Sequence, residues 1–122
     1  HGGGSVKDKN AEERYTYDLK IMEKERESEE LHIQERQLKQ SLENFEQDII
    51  RSFQTLTAIE DELNQRNHGS SGFSETEQKR RYLAQVISTQ QETQDLQFRK
   101  IHQKLEDERE ILLKERNDLA WD

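Results

Sequence analysis

From Leu31 to Leu63 the apolar residues fall into two columns. Leu42, Ile49, Leu56 and Leu63 recur every seven residues, and Leu31, Leu38, Phe45 and Ile59 form a second column offset by four, broken only at Ser52. Alternating steps of three and four are the a/d seam of a coiled coil, because seven residues nearly complete two helical turns. Upstream the pattern weakens to Lys24, Ser28 and Glu35 and returns only at Tyr17 and Ile21, so the first turns are expected to fray. A second region repeats the theme, with Phe98, Leu105, Leu112 and Leu119 in one column, Ile101 between them, and Tyr82, Leu83, Val86 and Ile87 nearer its start.

Between the two regions lies His68-Gly-Ser-Ser-Gly-Phe73, flanked by stop and start signals. Asn67, His68 and Gly69 end a helix, and Ser74-Glu75-Thr76-Glu77 has the form of a capping box, in which the serine oxygen takes an orphan amide and Glu77 reaches back. Two glycines inside a continuous helix would cost roughly 2 kcal/mol with nothing gained. Asn10 with Glu13 supplies a cap for the first helix. The spacing therefore predicts an all-α chain: an elongated, coiled-coil-like antiparallel two-helix hairpin occupying residues 6–122. Its parts are a helix over 10–67, a turn over 68–73 built on Gly69 and Gly72, and a helix over 74–122. At about 1.5 Å per residue the first helix outreaches the second, roughly 87 Å against 74 Å.

Folding about Ser70 sets side by side residues whose numbers sum to about 140. Leu42 then meets Phe98, Leu38 meets Ile101, and Leu56 and Ile59 meet Leu83 and Ile87; the seam also takes in Phe45, Leu63, Leu105, Leu112 and Leu119. Ile49, Ile50 and Phe53 face the stretch from Ser88 to Gln94, which has no apolar residue. Ile50 and Phe53 also broaden the stripe beyond what one helix covers. Ile49, Ile50 and Phe53 are therefore expected to bind a partner, with Ile111, Leu113 and Trp121 as a second apolar surplus.

Composition sharpens this picture. Only 29% of the residues are hydrophobic and 38% are charged, and Leu, Ile, Val and Phe together make up 26 of 122, too few for a thick core. The chain has no proline to break helices and no cysteine, which excludes disulfides and thiolate chemistry. It has no apolar run long enough to cross a membrane, and no charged-then-apolar leader opens it, so export is expected, if at all, by a route without such a leader. His1-Gly-Gly-Gly-Ser5 resembles a tag and linker remnant and carries no metal argument. The net charge is −8, with acids exceeding bases in both halves, which speaks against nucleic acid. Lys79-Arg80-Arg81, the only basic triplet, reads as a solvated helix face.

Catalytic chemistry finds no foothold. His102 and Glu106 stand at i and i+4 but lack a further ligand in sequence; His32 with Arg36 and His68 in the turn read as solvated positions. No nucleophile elbow or phosphate loop occurs. No enzyme activity, cofactor or metal is expected.

The hairpin, its Gly69-to-Phe73 turn, the size, and the lack of Cys and Pro resemble the small WXG-like accessory proteins that accompany LXG toxins of bacterial type VII secretion, over residue 10 to Asp122. Two motifs of the related WXG proteins are missing. The turn lacks Trp-x-Gly, the only tryptophan being Trp121, and the export signal Tyr-x-x-x-Asp/Glu or Phe-x-x-x-Asp has no match, Tyr82, Phe45 and Phe98 having Val86, Ile49 and His102 at that distance. The resemblance implies a non-catalytic adaptor or chaperone in the bacterial cytoplasm, co-secreted in some systems. It would bind the helical targeting domain of a larger toxin, alongside a second small helical protein, and assist its export. The alternative class is structural: a coiled-coil tether, or a hairpin that forms homo-oligomers along the same columns.

Overall fold

A computed structural model describes the backbone of residues 2–67 and 72–119, and the side chains of 10–66 and 75–119. It comprises two helices, α1 (Gly2–Asn67) and α2 (Gly72–Asp118), and no strand among the described residues. Long proline-free runs of Glu, Gln, Lys, Arg and Leu account for both, since these side chains lose little rotamer freedom in a helix.

The ends differ from those the caps predict. α1 passes through Asn10 without a break to Gly2. A cap contributes only about 1 kcal/mol, which does not force a break at Asn10 inside a proline-free run, although Gly2 to Gly4 are poor helix formers. α2 starts at Gly72, two residues before the Ser74 cap, and closes at Asp118, where the Leu119 amide donates to the Arg116 carbonyl at 3.1 Å. Gly69 and the rest of 68–71, and residues 120–122 with Trp121, lie outside the described residues.

Contacts divide the chain into two units, residues 1–35 with 97–122 and residues 36–96. In each, α1 runs antiparallel to α2. In the first, α1 turns Arg14, Tyr17, Ile21, Lys24, Ser28, Leu31 and Glu35 inward, and α2 turns Phe98, His102, Leu105, Arg109, Leu112, Arg116 and Leu119. The steps of three and four are heptad steps. Ile21 and Leu31 are its buried apolar residues. The polar members span the gap: Lys24 Nζ lies 2.5 Å from Glu108 Oε2, Arg109 Nε donates to Glu25 Oε1 at 3.1 Å, and Arg116 pairs with Asp18. The seam expected to weaken at Lys24 is held by a lysine that lays its stem along the interface and reaches a carboxylate on the other helix.

The second unit has a different period. Its inward positions are Leu42, Glu46, Ile49, Phe53, Thr57, Glu60 and Asn64 on α1, and Thr76, Glu77, Leu83, Ile87, Gln91 and Gln94 on α2. Two successive steps of four, Ile49–Phe53–Thr57 on α1 and Leu83–Ile87–Gln91 on α2, break the alternation of three and four, so that Glu46 to Thr57, Ile49 to Glu60, Phe53 to Asn64, Thr76 to Ile87 and Leu83 to Gln94 are each eleven apart. An eleven-residue repeat gives about 3.67 residues per turn, whereas a column repeating every seven drifts about 20° per repeat on a straight helix. The leucine column accordingly leaves the seam here. Leu38, Phe45, Leu56, Ile59 and Leu63, expected inside it, are exposed.

The register also differs from a fold about Ser70. Cross-helix pairs carry numbers summing to 132–137, from Lys24–Glu108 to Glu35–His102 in the first unit and from Lys39–Asp95 to Glu46–Gln91 in the second. This register brings Ile49 level with Val86 and Ile87 instead of the polar stretch, and Ile87 is the most buried apolar residue of its unit at 5% exposure. Giving Ile49 apolar neighbours favours this register over the one that would face it with glutamines.

Candidate functional site

The mismatch inferred between Ile49, Ile50 and Phe53 and residues 88–94 does not occur at this register. Ile49 and Phe53 are half-buried between the helices, and the polar stretch lies against Lys39, Leu42 and Glu43 across a groove of ≈ 170 Å³ that includes Gln91 and the buried Gln94. Ile50 remains exposed and, with Phe53, Gln54 and Thr57, lines an open groove of ≈ 530 Å³ whose other wall is Glu77 and Arg80.

The larger apolar surface lies on the opposite flank. Leu38, Phe45, Leu56, Ile59 and Leu63 lie on one side of α1, displaced from the seam in one rotational sense, and Phe45 is 55% exposed. In an antiparallel pair, residues displaced in the same sense on the two helices share a side. Tyr82, 67% exposed, and Val86 therefore continue that face from α2.

Beneath this face the seam is polar. The Thr76 hydroxyl donates to Glu60 Oε1, while Glu60 Oε2 is buried with no hydrogen-bond partner among the described residues. Two members of the basic triplet, Arg80 and Arg81, are engaged with an acid on their own helix. Arg80 Nε donates to Glu77 Oε2 at 3.0 Å and Arg81 Nε to Oε1 at 3.3 Å. Hydrogen bonding by Arg80, opposed by desolvation and aided by its charge and by Arg81, lowers the Glu77 carboxyl to about 2. In the first unit the Lys24 hydrogen bond likewise lowers the Glu108 carboxyl, and a hydrogen bond with Glu115 raises the Tyr17 phenol.

Of the remaining predicted positions, Leu42, Leu83, Phe98, Leu105, Leu112, Leu113 and Leu119 are half-buried, Ile101 and Ile111 are exposed, and Gly72 opens α2. The structure also assembles a group that sequence spacing misses. His32, Glu35 and His102 come together, with His102 Nε2 3.3 Å and His32 Nδ1 3.9 Å from Glu35 Oε2, and the two imidazole rings stack at 4.0 Å between centroids, tilted 31°. Glu106, the expected companion of His102, instead lies 3.5 Å from Arg109. A summed register of 140 sets His102 opposite Leu38; the observed register carries it to Glu35.

No described helix is long and apolar enough to cross a membrane. No protein-family model, curated protein or solved structure matches the chain.

Proposed function

We propose that the protein is a non-catalytic helical adaptor that lays its exposed apolar face onto a helix of a larger protein. The observation that carries this reading is the exposed face formed by Leu38, Phe45, Leu56, Ile59 and Leu63 with Tyr82 and Val86, on one side of a single unit, while the seam beside it holds Glu60, Thr76 and Gln94. A two-helix pair with a polar seam buries little of its own apolar surface, and a third helix along that side would cover branched and aromatic groups at about 25 cal/mol per Å². Heptad spacing on the open face suits helix-in-groove recognition, with anchors three, four and seven residues apart.

By its resemblance to type VII accessory proteins, the partner is the helical targeting domain of an LXG toxin, and the adaptor would keep that domain soluble until export. The test is co-purification with such a domain. Phe45→Asp and Ile59→Asp should each abolish recovery of the partner while circular dichroism stays unchanged, because both side chains point away from α2. Ile50→Asp, in the groove on the other flank, should leave recovery intact. Full recovery with both face variants removes the reading. Concentration-dependent sedimentation of the isolated chain, lost in Ile59→Asp, would instead assign the face to homo-oligomers.

A further inference from the structure

His32, Glu35 and His102 form the one group of three or more potential metal-ligating side chains among the described residues whose donor atoms converge, all lying within 4.8 Å of one another. Two come from α1, where the i, i+3 spacing sets His32 and Glu35 on one face, and the third comes from α2. The geometry points to a divalent-cation site of two imidazoles and one carboxylate that clasps the two helices of this unit, with zinc as the ion best matched to that donor set.

The distances bear on this directly. Zinc takes nitrogen at about 2.0–2.1 Å and carboxylate oxygen at about 2.0–2.2 Å, so neighbouring ligand atoms of a tetrahedron stand roughly 3.4 Å apart. His102 Nε2 and Glu35 Oε2, 3.3 Å apart, already have that separation. His32 Nδ1, at 3.9 Å from Glu35 Oε2, has about half an ångström to close, and the stacked His32 ring must turn so that both in-plane nitrogen lone pairs meet one ion; its side chain is 62% exposed and so can swing. Two imidazoles with one carboxylate are donors of borderline softness, which suit zinc, copper and nickel and not the hard cations calcium and magnesium. Three protein ligands leave the fourth position to water, as in open zinc sites, so the ion would also present an exchangeable ligand at the surface. Because the donors converge only when α1 and α2 are paired, a bound ion stabilises the paired state over the unfolded chain.

The experiment is calorimetric titration of the full chain with zinc chloride, monitored in parallel through the imidazole resonances. Wild type should bind one ion per chain, shift the His32 and His102 resonances and leave those of His1 and His68 in place. Its melting temperature should rise. His32→Ala and His102→Ala should each weaken binding by at least about 100-fold, and Glu35→Gln, which keeps shape and removes charge, should weaken it less. The double variant His1→Ala/His68→Ala should bind as wild type. If a histidine variant loses helicity, the resonance shifts in wild type still identify the ligands. Shifts confined to His1 or His68, unchanged affinity in a folded His102→Ala, or no binding in excess zinc would each overturn the site.

Discussion

Two isoleucines show how little apolar area holds each unit. Ile21 and Ile87 are 6% and 5% exposed, and no side chain among the described residues is completely enclosed. Ile87→Ala should therefore cost about 2–4 kcal/mol in a urea titration monitored by circular dichroism, since the helices flanking the cavity relax only in part. Leu56, which shares a heptad column with Ile49, should cost less than about 1 kcal/mol when changed to alanine, because it is 40% exposed. Comparable losses for both would mean that the leucine column is the seam after all. The residue identities made both positions look equivalent; only the angle at which each meets the other helix separates them. The same holds for His32, Glu35 and His102, which carry no shared local spacing and become neighbours only through the pairing of α1 with α2.

At the scale of the helices, proline-free composition, strong stop signals and heptad columns made two antiparallel helices legible, and the structure has them. What the columns concealed was their own drift. Leu56 and Leu63 keep the seven-residue beat of Leu42 and Ile49, but the inward positions pass to Thr57, Glu60 and Asn64. A heptad is read from sequence as though the helices supercoil enough to keep it inward, and whether they do depends on the packing of both partners. Register was hidden for a related reason, since it depends on which apolar residue gains most by the shift, here Ile49, and not on the midpoint of the turn. The polar seam should limit stability measurably. Replacing Glu60 by Leu together with Thr76 by Val removes a buried carboxylate oxygen that lacks a partner and also the hydroxyl that serves its neighbour, and is expected to raise unfolding stability by about 1–2 kcal/mol. A loss would show that the Thr76–Glu60 contact holds the helices together better than leucine and valine can.

For the molecule as a whole, the two units solve the same problem differently. One places charged side chains across a heptad seam and buries Ile21 and Leu31; the other places polar residues in an eleven-residue seam and leaves its leucines outside. That difference sets which changes of chain length the fold can absorb. Excising seven residues from each helix in the first unit, 22–28 with 106–112, returns every remaining side chain to its former face and should leave a paired, helical product. The same excision in the second unit, 50–56 with 79–85, rotates the residues beyond the cut by roughly 30° relative to the seam. Removing eleven there, 50–60 with 76–86, restores the faces and keeps Ile49 beside Ile87, although it discards more protein. Melting temperatures should rank the eleven-residue excision above the seven-residue one in that unit, so the longer deletion is the gentler, and natural insertions or losses in this lineage should come in sevens on one side of residues 35 and 97 and in elevens on the other.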